Sequence, residues 1–231
     1  MKAVLDNGVT IVTESMPYLR SATFGVWVVG GSAADPDESQ GITHFAEHMA
    51  FKGTPTRTSE QIAQQFDMIG GYVNAFTAKE VTCYYAKTLD THIEQGMGLL
   101  ADMVLNPAYA PDETETEKKV ILEEISMYED SPEDLVMGQL TENVWAGQPL
   151  GREILGTKQT VSGIGSDTLR RYADEFYTGR RIYISVSGKV DEQRFVDVCR
   201  DLFASRPPGD ALAERLCGRI EIPEDLRDDD G

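Results

Sequence analysis

The chain has 231 residues, 41% of them hydrophobic, enough for one substantial core or two small ones. Its 39 acidic residues outnumber 21 basic ones and give a net charge of −18, which argues against nucleic acid or an anionic membrane as partner, because both need a basic footprint. The three cysteines, Cys83, Cys199 and Cys217, form no CxxC pair, so neither a disulfide framework nor a thiolate metal site is expected, and a reducing compartment fits best.

The N-terminal segment MKAVLDNGVTIVTES lacks the apolar run of a signal peptide and the Arg-rich character of a transit peptide. The expectation is a soluble intracellular protein of the bacterial cytoplasm, or of the mitochondrial matrix if a precursor has been processed. Residues 3–5 and 9–13 flank Asp6-Asn7-Gly8, and Asn-Gly between β-prone runs predicts a hairpin. Residues 22–29 (ATFGVWVV) form a third, central strand, followed by a loop from Gly30-Gly31 through SAADPDESQ. Residues 42–51 read as a helix, and Thr58 to Gln61 resembles a capping box opening another that stops at Gly70-Gly71. Residues 72–77 and 81–89 are two strands paired through Ala78-Lys79.

From Asp90 the apolar spacing becomes helical. One helix runs to Leu105 and is ended by Asn106-Pro107; others cover residues 112–128, 132–145, 167–177 and 192–204. A strand is expected over 181–189, and residues 147–165 are expected to form a loop. The pattern predicts an α+β fold in which a single, mostly antiparallel mixed sheet packs against several helices. Residues 1–206 constitute this domain; residues 207–231, ending in EIPEDLRDDDG, read as an acidic linker or tail, and imply that something follows or binds on that side.

Two of only three histidines, His44 and His48, lie four apart on the helix of residues 42–51, with Glu47 between them. That spacing puts both imidazoles on one face, one turn apart, within reach of one cation, with Glu47 at the edge of the same face. The order HxxEH is the inverse of HExxH. A catalytic zinc takes three protein ligands and keeps one open position, so a third ligand must come from elsewhere. The segment TETEKKVILEEISMYED supplies candidates: Glu117 and Glu124 are seven apart and share a face, and Val120, Ile121 and Ile125 would draw it into the core. Glu123 is the rival, about 100° away around the helix. His92, at the featureless start of a helix, is left out of the site.

These segments together resemble the M16 family of zinc peptidases, which includes the mitochondrial processing peptidases, pitrilysin and insulin-degrading enzyme. GITHFAEHMAFKGT at 41–54 resembles the family's zinc helix, and EKKVILEEI at 117–125 resembles the segment holding the third ligand. The resemblance implies that His44, His48 and Glu124 bind Zn2+, that Glu47 is the general base, and that Glu117 supports the site from behind. GGYVNAFTAKEVTCYYAK at 70–87 resembles the family's edge strand, which implies that Asn74, Ala75 and Phe76 hold an extended peptide by main-chain pairing. The implied chemistry is metal-assisted hydrolysis of peptides or unfolded polypeptides.

Family members build a chamber from two similar halves, and the likeness here extends only from the first hairpin to about Arg206. The resemblance therefore implies an N-terminal catalytic half whose full activity needs a C-terminal half or partner subunit, with homodimers also known among smaller members. The alternative is a non-catalytic peptide-binding or assembly subunit. Glu47 in the intact HFAEH favours the first, since a subunit that does not cut has no need of a base.

Overall fold

The computed structural model describes residues 1–210. The segment 211–231, with Cys217 and most of the expected acidic tail, lies outside them. Among the described residues there are six strands: β1 (Lys2–Val4), β2 (Thr10–Ser15), β3 (Ser21–Val29), β4 (Tyr72–Thr77), β5 (Val81–Leu89) and β6 (Ile182–Gly188). They form one sheet in the order β1-β2-β6-β3-β5-β4, with β2 and β6 parallel and every other pair antiparallel. The mixed α+β architecture read from the sequence is the one observed.

Eight α-helices occur among the described residues: α1 (Ile42–Met49), α2 (Ser59–Met68), α3 (Ile93–Leu105), α4 (Pro111–Glu129), α5 (Pro132–Val144), α6 (Lys158–Gly163), α7 (Ser166–Phe176) and α8 (Glu192–Phe203). Alternation along the strands explains where the core sits. Phe24, Val26 and Val28 of β3, Tyr84 and Ala86 of β5, and Ile182, Ile184 and Val186 of β6 are buried, as are Ile42, Phe45, Ala46 and Met49 of α1. The intervening Trp27 and Tyr85 are half-buried, and Tyr183 is exposed on the other face of the sheet.

The expected first hairpin is present and turns through Asp6-Asn7-Gly8: Val4 pairs with Thr10, and the Leu5 N–H donates to the Val9 carbonyl at 2.9 Å. Two details differ from the sequence reading. The helix expected from Asp90 begins at Ile93, after a 3-10 turn over Asp90–His92. The expected loop at 147–165 contains a 3-10 turn, Pro149–Gly151, and the helix α6. Helix α6 starts because Thr157 and Thr160 cap each other reciprocally: each side-chain hydroxyl accepts from the other residue's N–H, at 3.0 and 3.1 Å. Gly and Pro around it mask that signal.

Helix α1 is anchored at its start by the buried Asp35. One carboxylate oxygen accepts the Gly41 N–H at 2.7 Å, and the other accepts the Thr43 hydroxyl, which also lies 2.6 Å from the Tyr172 hydroxyl. Gly41 sits at φ 91°, and a Cβ there would come within 2.4 Å of the Leu155 carbonyl oxygen, so the chain enters this helix by a conformation and a gap that only glycine fits.

Candidate metal centre

The burial of Ile42, Phe45, Ala46 and Met49 turns the opposite side of α1, carrying His44, Glu47 and His48, toward α4. There Ile121 and Ile125 are buried, and this packing brings Glu117 and Glu124 of α4 up to the two histidines. His48 Nε2 lies 3.7 Å and His44 Nε2 4.0 Å from the same oxygen, Glu124 Oε2. The two imidazole rings are 4.4 Å apart between centroids.

His44, His48 and Glu124 offer three donor atoms within 4.8 Å of one another, the one such grouping of His, Cys, Asp and Glu donors among the described residues. Two imidazoles and a carboxylate are a donor set of the type catalytic zinc sites use, and bonds of roughly 2.0–2.2 Å would bring such atoms only slightly closer together. Burial, and then the neighbouring His48, push His44 down to about 3, so its ring is neutral and has a lone pair to give. Its buried Nδ1 has no hydrogen-bond partner among the described residues. The residues present fit a zinc ion.

Glu117 is placed differently from Glu124. It is buried, and its Oε1 lies 2.8 Å from His48 Nδ1. With Nδ1–H donating to this carboxylate, the Nε2 lone pair is left facing Glu124. Its other oxygen meets Lys52 Nζ at 2.5 Å. Glu123 appears in none of these contacts.

Glu47 opens onto a cleft of about 470 Å³ whose lining also includes His44, Phe76, Thr77, Lys79 and Met137. Burial pushes the Glu47 carboxyl above its ordinary range, opposed by the Thr77 hydroxyl, which donates to Glu47 Oε2 at 2.5 Å. Desolvation makes a carboxylate a stronger base.

Strand β4 is an edge of the sheet, so one of its sides pairs with no other strand among the described residues. Tyr72, Asn74 and Phe76 are exposed on it, and Phe76 stacks edge-on against Trp27 with centroids 5.9 Å apart. Ala78 N–H bonds the Val81 carbonyl, and counting back by twos turns the Ala75 N–H toward the free side. That N–H is held at 2.9 Å by Oδ1 of Asn74, whose amide in turn donates to the Tyr72 hydroxyl at 2.8 Å.

Sequence reasoning passed over three residues of this neighbourhood: Thr77, Lys52 and Asp35. Thr77 and Lys52 lie within segments already singled out, so a polar side chain flanking each motif was the available signal. What each one touches depends on packing between distant segments. No short-range pattern reports that.

A profile of the insulinase family, peptidase family M16, matches residues 10–158. The chain is 46% identical over 193 residues to a Bacillus subtilis (strain 168) protein named as an uncharacterized zinc protease, YmxG, the match covering 84% of this chain and 47% of that protein. Among solved structures, a Helicobacter pylori protease superposes with a TM-score of 0.87 at 20% identity, over 96% of this chain and 54% of the other. A Pseudomonas fluorescens structure described as a peptidase M16 inactive domain superposes with a TM-score of 0.85 at 18% identity, over 96% and 53%. These two show a shared fold. The chain spans about half the length of the relatives it matches. With a family profile covering most of its sheet, its first helices and the HxxEH segment, the chain belongs to the M16 (insulinase) family of peptidases.

Proposed function

We propose that this chain is the zinc-holding half of an M16 endopeptidase that hydrolyses extended peptides. The observation that carries the reading is the meeting of His44, His48 and Glu124 within 4.8 Å, beside a half-buried Glu47 that opens onto the cleft. His44, His48 and Glu124 hold the ion, whose chemistry when bound is to polarise a scissile carbonyl and acidify water.

The remaining work falls to the chain's own side chains. Glu47 accepts the proton of the attacking water and returns it to the leaving amine. Thr77 fixes the Glu47 carboxylate by its hydrogen bond. Glu117 orients the His48 ring. Strand β4, through Asn74, Ala75 and Phe76, receives the substrate as an added strand; its edge leads to Thr77 and so to the base. A second half, on the same polypeptide or a partner, completes the chamber for full activity.

The test is to quantify zinc in the purified protein by plasma emission, then to follow cleavage of unstructured peptides with and without a C-terminal half. One zinc per chain is expected, and cleavage that falls by about 10²–10⁴-fold in Glu47→Gln, the range attributed to a positioned acid–base group. Zinc retention is expected to be unchanged in that variant. Zinc binding without any Glu47-dependent cleavage, even with the second half added, would favour the peptide-binding subunit. Absence of zinc would sink the metal assignment.

A further inference from the structure

Glu117 sits between two residues of one short stretch, His48 and Lys52, which flank the C-terminal end of α1. Its Oε1 faces His48 Nδ1 at 2.8 Å and its Oε2 faces Lys52 Nζ at 2.5 Å. Only 6% of the Glu117 side chain is exposed, against 32% for Lys52. Each carboxylate oxygen therefore has one identified partner, and burial leaves little room for water to replace either.

The backbone fixes this bridge. After α1 the Phe51 N–H bonds the His48 carbonyl, and the Lys52 N–H bonds the Met49 carbonyl, both at 3.1 Å, so Lys52 continues the turn below His48. Glu117 is two turns before Glu124 on α4. A carboxylate clamped at both oxygens cannot rotate about its last bond without giving up a partner. An unpaired carboxylate oxygen in so buried a place would be costly.

We infer that Lys52 is a positioning residue of the metal centre: by clamping Glu117 Oε2 it holds Oε1 on His48 Nδ1–H and so keeps His48 Nε2 directed at Glu124. The inference deepens the proposed zinc reading and rests on it for its metal-affinity consequence; the effect on the His48 ring stands without a metal. Without Lys52, the carboxylate is free to turn, and His48 samples the tautomer with its proton on Nε2, which leaves that nitrogen no lone pair for a cation beside Glu124.

Two readouts other than activity test it. In metal-free protein, the ¹⁵N shifts of His48, one of only three histidines, report the tautomer. Wild type is expected to hold the Nδ1–H form, Lys52→Met to populate the Nε2–H form, and Lys52→Arg, which restores the cationic donor, to stay closer to wild type. Zinc affinity by chelator competition is expected to fall about tenfold in Lys52→Met, the low end for a group behind a ligand. In a Glu117→Gln background the same substitution should cause little further loss, because the two act as one unit.

An unchanged His48 tautomer in Lys52→Met, or an equal loss of affinity with and without Glu117, overturns the inference. If Lys52→Met does not fold, Lys52→Gln serves the same measurements. A wild type that binds no zinc, while its His48 tautomer still responds to Lys52, removes the metal reading and leaves the positioning role supported.

Discussion

Glu123 and Glu124 are neighbours on α4, yet only Glu124 has an oxygen within 4.0 Å of both histidine Nε2 atoms. Replacing Glu124 by Gln removes the anionic donor while keeping size and shape, so zinc retention should drop by at least about tenfold, whereas Glu123→Gln should leave it near wild type. Chelator competition on the two purified variants decides this, and equal losses would mean that the wrong carboxylate has been assigned. Asp35 makes a second prediction at this scale. Burial, opposed by its hydrogen bonds to Thr43 and Gly41, pushes it from 3.8 up to about 6. The folded state then holds a proton that the unfolded chain releases near 3.9, so stability declines as pH rises from about 4 to about 6. Two pH units at 1.36 kcal/mol each put this decline on the order of 3 kcal/mol. Asp35→Asn should flatten that slope, as measured by urea unfolding across the window. A variant whose curve runs parallel to wild type would show that another group is responsible.

Strand β4 offers a prediction that separates substrate holding from folding. Ala75→Pro removes an N–H that faces the free side of the edge strand, a position where proline is tolerated because no ladder bond is lost. The expected result is a higher KM for extended peptides with little change in thermal unfolding; an unchanged KM would exclude pairing at this residue. Most elements were legible from sequence because each carries its own local signal: Asn7-Gly8 in the first hairpin, the apolar run of β3, the Thr58 cap of α2, and Asn106-Pro107 at the end of α3. Helix α6 was not, since six residues among glycines give no period to read, and its reciprocal threonine cap shows only in the folded structure. The clustering of His44 and His48 with Glu47, Glu117 and Glu124 was legible because helical phase and the family likeness depend on short spacings. Thr77, Lys52 and Asp35 act across 30, 65 and 8 residues respectively, and the longer separations especially leave no periodic trace.

At the scale of the whole molecule, the proposed metal centre would add a further tie between α1 and α4, elements already joined by apolar packing and by the His48–Glu117 hydrogen bond. An ion held by both should stabilise the fold as any ligand of the native state does: about 4 kcal/mol at a thousandfold excess over Kd, or roughly 10 °C for a domain of this size. Scanning calorimetry with zinc and with a strong chelator should show that difference, and Glu124→Ala should show almost none. If the chelator has no effect on wild type, the ion is either not bound or not shared between the two helices. The half-length relation to its relatives gives a further expectation: adding a C-terminal half should raise kcat/KM far more than it raises zinc affinity, because all three proposed ligands already lie on this chain.

The hydrogen bond from Thr77 to Glu47 joins the last residue of β4 to the proposed base. A polypeptide laid along that strand would thus be gauged by a ruler graduated at about 3.3 Å per residue, with the proton acceptor fixed at one end of the scale. Under the proposed function, the place of the cut is counted off in main-chain steps before any side chain is recognised. Such an enzyme would tolerate many sequences while remaining strict about extension, and folded segments would pass it untouched.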